Sequence, residues 1–197
     1  MITERLKKQI DFIIEVDKIK NIFRRSYITD VSRNENDAEH SWHITLMAVV
    51  LLEYSNFNDI DILKIIKMLL IHDIVEIDAG DVMIYDKEKL KTKLDKEKKA
   101  AERIFSILPD EQKKEFYSLW TEFEERKTKE SKLARVFDRL QPIILNYCAK
   151  GKTWKEANVK SSDILEVNQI IGDGSEQLWK FAKELISKAI EKKYLPE

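Results

Sequence analysis

The stretch MLLIHDIVEIDAGD, residues 68–81, decides the fold. Met68, Leu69, Leu70 and Ile71 run straight into His72-Asp73, and Ile74, Val75 and Ile77 follow with acids among them. Read as a helix that begins at Asp59 or Asp61 and continues to Glu76, this segment is apolar around most of its circumference. A helix of that kind is buried. A buried carboxylate costs on the order of several kcal/mol unless it is paired or bound to a metal. His72 and Asp73 therefore need partners. A neutral core histidine beside a backbone-bonded Asp satisfies the dipeptide taken alone; a metal site is the other reading.

Helical patterns flank this segment on both sides. Leu6, Ile10, Ile13, Ile14 and Ile19 give residues 3–20 one apolar face. Residues 23–36 lack any period and read as a loop. Asp37 is expected to N-cap a second helix running to about Ser55, with His40 at its N3 position. Ala79-Gly80 breaks the third helix, and 77–87 reads as a loop. Further helices are expected over 88–107, 110–126 and 131–149, the last kinked at Pro142. Residues 150–174 read as loop with one short helix, and a final helix covers Ser175 to about Lys192. No strand alternation is evident. The expectation is an all-α single domain over 1–197, its core at about 10–190, with six to eight helices.

Composition narrows the function. Lys+Arg 35 against Asp+Glu 36 leaves a net charge of −1, so no basic excess suits a nucleic-acid backbone. The run KEKLKTKLDKEKK, 87–99, mixes both signs and reads as a solvated helix face. Cys148 is the sole cysteine, which excludes an internal disulfide and a cysteine metal cluster. No window supplies the ~20 apolar residues that span a bilayer. A cytoplasmic protein without membrane or nucleic-acid partners is expected.

Only three histidines occur: His40, His43 and His72. His40 opens the second helix, and Asp138 is an acid inside the apolar face of ARVFDRLQPIIL. Three helices thus each bring a ligand inward. Two imidazoles and two carboxylates suit a borderline divalent ion such as Mn, Fe, Co, Ni or Zn.

His, then a His-Asp pair, then a distant Asp resembles the HD-domain metal-dependent phosphohydrolases, and among them the 5′-deoxynucleotidases and related hydrolases. The resemblance rests on RNENDAEHSWH (33–43), MLLIHDIVEIDAGD (68–81) and FDRLQPIILNY (137–147). It implies one divalent ion (Mn, Co, Fe, Ni, Zn or Mg) held by His40, His72, Asp73 and Asp138. It also implies catalytic roles for Glu76 and Asp81, with Gly80 letting the loop approach the ligand. Arg25 matches the family's phosphate-contacting Arg, with Arg24 as the register alternative and Arg33 a weaker candidate. His43 is a further substrate-contacting candidate, and Trp42 a core or pocket residue. Where better understood relatives carry Trp after that Arg, this chain has Ser26, which weakens selection for a 2′-deoxy sugar. The implied activity is phosphomonoester hydrolysis of a nucleoside 5′-monophosphate by metal-activated water, in a homodimer. One metal and one or two Arg groups suit one phosphate better than three. Another phosphate ester, or a non-catalytic metal-containing binding module, is the alternative.

Overall fold

A computed structural model describes residues 2–195, and at 87, 89 and 90 the backbone alone. Positions 1, 196 and 197 of the expected domain lie outside the described residues. Among the described residues, eight helices have eight residues or more: α1 (Glu4–Val16), α2 (Asp37–Leu51), α3 (Ile62–Ile71), α5 (Lys87–Phe105), α6 (Asp110–Glu125), α7 (Lys129–Cys148), α9 (Ser161–Asn168) and α11 (Glu176–Glu191). Three are single turns: α4 (Glu76–Ala79), α8 (Lys152–Glu156) and α10 (Ile171–Gly174). The all-α expectation holds. The segment 150–174, expected as loop with one short helix, instead folds into α8, α9 and α10.

The central element is α7. It packs against α2, α3, α6, α10 and α11, and Leu133, Ala134, Val136, Phe137 and Leu140 are fully enclosed. The helix runs through Pro142 without breaking. Close packing of α10 depends on Gly174, where a Cβ would lie 2.5 Å from a Val136 methyl and 3.0 Å from the Lys132 carbonyl.

Three local differences from the sequence reading shape the site. Residues 23–36 form a small antiparallel hairpin, β1 (Phe23–Tyr27) with β2 (Asn34–Asn36). Two short strands carry too few residues to show alternation. The α2 cap is Asn36, not Asp37: the Asn36 side chain accepts from the Glu39 N–H while the Glu39 carboxylate accepts from the Asn36 N–H, a capping box. Asp37 is thereby freed to turn inward. Finally, α3 ends at Ile71 rather than Glu76. The His72 N–H still donates to Met68, but the Ile74 and Glu76 N–H groups reach back only three residues, to Ile71 and Asp73. This tightening separates α3 from α4.

Candidate metal centre and active site

His72 is the C-cap of α3, and its Nδ1 donates to the Leu69 carbonyl at 2.9 Å. That bond fixes the tautomer and leaves the Nε2 lone pair facing inward. Nε2 is buried with no hydrogen-bond partner. It lies 3.1 Å from Asp73 Oδ2 and 3.7 Å from Asp138 Oδ1. His40, on α2, repeats the device. Its Nδ1 sits 3.2 Å from Gln141 Oε1, an oxygen that can only accept. Its Nε2 is therefore the free lone pair, 3.3 Å from Asp138 Oδ1 and 3.9 Å from Asp73 Oδ2. The structure thus brings His40, His72, Asp73 and Asp138 together from α2, the end of α3, and α7. The ligand atoms of His40, His72 and Asp73 all lie within 4.8 Å of one another.

The imidazole Nε2 atoms and carboxylate oxygens gathered there are a donor set that could hold a divalent ion. The electrostatics agree. Burial alone would lower the His72 pKa, yet Asp73 and Asp138 outweigh it and lift it to about 10. Both carboxyls are held well below the usual range despite burial, Asp73 chiefly by His72 and Arg24, Asp138 by His40 and His72. The cluster draws positive charge to its centre.

Sequence reasoning missed a supporting layer. Gln141 accepts from His40 and donates to Glu35 at 2.6 Å, and its Nε2 also lies 3.2 Å from His43 Nδ1. His43 therefore stands behind the site, against Gln141. Asp37 is fully buried, within 4.8 Å of Asp73 and Glu76. Arg24 neutralises this group. Its guanidinium donates to Asp73 Oδ2 at 2.8 Å and to Asp37 Oδ1 at 3.1 Å. Strand alternation turns Arg24 and Ser26 inward and Arg25 outward. Arg25 is exposed at the cavity edge. Arg33 lies outside, paired with Glu39 on the surface.

Glu76 is the first residue of α4 and only 2% exposed. Its Oε1 lies 3.4 Å from Lys93, while Oε2 is buried without a partner. Burial, reinforced by Asp73 and Asp37, holds its pKa well above the usual carboxylate range. Lys93 also pairs with buried Glu97 at 3.1 Å, so part of the run expected to be a solvated face turns into the site. Gly80 ends α4 at φ +75°, and a Cβ there would meet nothing within 4 Å; conformation rather than close approach requires it. Asp81 follows, lining the cavity, with burial raising its carboxyl. Trp42 is neither core nor pocket wall: it is 64% exposed on α2.

His72, Asp73, Glu76, Asp81 and Asp138 border a cavity of about 670 Å³, whose walls also include Tyr85, Tyr117, Trp120, Trp154 and the α7 face from Arg135 to Asn146. The family described as HD domain matches residues 16–179. This chain belongs to that family. A metal-dependent phosphohydrolase from Magnetospirillum magnetotacticum MS-1, so described as predicted, is 43% identical, with a TM-score of 0.93 over 99% of this chain and all of the other. Proteins named 5′-deoxynucleotidase HDDC2 are similar in sequence: that of Dictyostelium discoideum is 31% identical across 72% of this chain and 77% of its own, and that of Xenopus laevis 30% across 70% and 67%. The PH0347 protein of Pyrococcus horikoshii OT3, 24% identical with a TM-score of 0.65 over 93% of this chain and 99% of its own, shares the fold. The HD-domain chain is a metal-dependent phosphohydrolase.

Proposed function

We propose that this phosphohydrolase releases phosphate from nucleoside 5′-monophosphates, with one divalent ion held by His40, His72, Asp73 and Asp138. The observation that carries the reading is a His/Asp quartet of which His72, Asp73 and Asp138 line a cavity of about 670 Å³, within the range of small-molecule sites. The name borne by the HDDC2 relatives supports the nucleotide assignment. The ion, when bound, would polarise the phosphoryl group and activate water. The chain's own residues do the rest. Arg24 ties Asp73 to Asp37 and so fixes one ligand's direction. Gln141 and the Leu69 carbonyl hold the two imidazoles with Nε2 inward. Glu76, turned into the cavity beside Asp73, is placed to orient the attacking water or to hold a proton for the leaving oxygen, and Asp81 borders the same space. Arg25 and His43 have less direct access, the first at the rim and the second behind Gln141.

More cations line the cavity than the sequence led us to expect. Arg24, Arg135 and Lys93 are paired with carboxylates, whereas Arg25, Lys98, Arg126 and Arg139 also line the cavity, so the preference for one phosphate over three rests on the single ion site and on the name of the HDDC2 relatives. Phosphate release from paired nucleoside mono- and triphosphates, with several divalent ions, tests this; triphosphates cleaved as well as monophosphates contradict it. Discrimination between ribose and deoxyribose is expected to be weak, within roughly 10-fold in kcat/KM. Ser26 is small and shares the inward face of β1 with Arg24, leaving room for a 2′-hydroxyl. Ser26→Trp should raise the deoxyribose preference, and strong deoxy selectivity already in the wild type would remove the steric account.

We further propose a single HD domain over 1–197 acting as a homodimer in a reducing, cytoplasmic setting. Trp42, Leu46, Val49 and Val50 leave an exposed apolar stripe on α2 of the kind a second copy covers. The lone Cys148 fits the compartment. Among the described residues no helix is long and apolar enough to cross a membrane.

A further inference from the structure

We propose that α7 is the rail along which the substrate lies, with its phosphate at Arg139 and a hydrogen-bond donor of its nucleoside at Asn146. The inference rests on the nucleotide reading above and assigns that substrate a direction. Asp138, Arg139, Pro142 and Asn146 all border the cavity, so one stripe of the helix faces the ligand space.

Three polar side-chain atoms on the cavity face of α7 have no partner, Arg135 Nε, Arg139 Nε and Asn146 Oδ1, and the Arg135 guanidinium is already held through its other nitrogens. Arg139 Nε is buried and unsatisfied. It is ion-paired at 3.6 Å with Asp138 Oδ2, which already accepts from Arg135 at 3.1 Å. Among the described residues the Arg139 guanidinium makes no hydrogen bond. The neighbouring cations differ: Arg24 is bonded to Asp37 and Asp73, and Arg135 to Asp138 and Glu124. A guanidinium that borders the cavity, buried at Nε and with no hydrogen-bonded anion, is open to one, and its planar fork suits a phosphate. Asn146 is the second case. It is 4% exposed, and its Nδ2 donates to the Pro142 carbonyl at 2.9 Å. That bond fixes the amide orientation and leaves Oδ1, also buried, as an acceptor with no donor. Such atoms in native folds are satisfied or functional.

Arg139 and Asn146 are seven residues apart, two helical turns or roughly 10 Å. The complementary ligand has an anionic head beside the metal ligands and a neutral donor about that far away. A nucleoside monophosphate has this layout. The donor is a sugar hydroxyl or an exocyclic base amine, chemically equivalent at an amide oxygen.

The test uses the metal-loaded full chain, with adenosine 5′-monophosphate and p-nitrophenyl phosphate as substrates and inorganic phosphate as inhibitor. Metal content and Tm are read first for each variant. Arg139→Gln should lower kcat/KM for both substrates in proportion, about 10–100-fold, and weaken phosphate inhibition in parallel, with Arg139→Lys restoring part of both. Asn146→Leu should lower the ratio of nucleotide to p-nitrophenyl phosphate kcat/KM, about 5–10-fold; Asn146→Ser, smaller and still polar, serves if the leucine variant does not fold. In the wild type, inosine 5′-monophosphate reproduces that loss if the donor is the base amine, and a 3′-deoxy substrate if it is the sugar hydroxyl. Phosphate inhibition of Arg139→Gln as strong as in the wild type would overturn the first half. An Asn146 variant that lowers both substrates alike would overturn the second. Wild-type enzyme that cleaves p-nitrophenyl phosphate but no nucleotide rejects the nucleotide reading and the Asn146 assignment with it, while phosphate inhibition still decides Arg139.

Discussion

Asp138→Ala is expected to lose bound divalent ion and phosphate release together, with kcat/KM falling by ~10³-fold or more. The size follows from the several kcal/mol of charge stabilisation a catalytic ion supplies, at a factor of ten per ~1.4 kcal/mol. Asp138 Oδ1 is the carboxylate oxygen that lies within 3.3 and 3.7 Å of both inward imidazole nitrogens. No other carboxylate on α7 reaches that point among the described residues. The fold should survive, because Arg135 keeps Glu124 at 3.0 Å and its stacking on Phe123. A chelator should lower the Tm of the wild type and leave that of the variant unmoved, since an ion stabilises only the state that binds it. A variant that keeps a full equivalent of metal would show that Asp138 is not the fourth ligand.

Glu76→Gln should slow turnover by ~10²-fold, the usual scale for losing a positioned proton-transfer group, while metal content stays at the wild-type level. Shape and helix propensity are nearly unchanged. Stability should hold or rise, because burial beside Asp73 and Asp37 already disfavours the Glu76 charge, and Lys93 keeps Glu97. Unchanged kcat on the best substrate would leave Glu76 as a buried structural acid and nothing more.

The site's chemistry was legible where it contradicted its surroundings. His72, Asp73 and Asp138 are polar groups inside apolar helical runs, and a core that contains them has to neutralise them. His40 stood out because the chain has only three histidines. The groups that hold these four in place were harder to see. Arg24 reaches Asp73 through a hairpin too short to show alternation, so nothing in the sequence marked Arg24 as the inward side chain and Arg25 as the outward one. Asp37 read as a cap because caps favour Asp; the competing capping box at Asn36 and Glu39 wins and releases it inward. Lys93 and Glu97 are an i,i+4 pair buried in a stretch whose overall composition is that of a solvent face. Gln141 lies one turn beyond Asp138, and a polar residue at that spacing was the available signal for a partner to His40. The α3–α4 break falls at His72–Val75 with apolar residues continuing on both sides, where periodicity carries no mark of a helix end.

Phosphate release is expected to require one ion held by the quartet. Metal-free protein titrated with a divalent ion, with bound metal and phosphate release read at every point, tests it most directly. Both are predicted to rise together and level off at one equivalent per chain. Activity in the metal-free protein, or activity that rises only with a second equivalent, would contradict it; the second result would direct attention to Asp37, Asp73 and Glu76, the other buried group of ligand atoms within 4.8 Å.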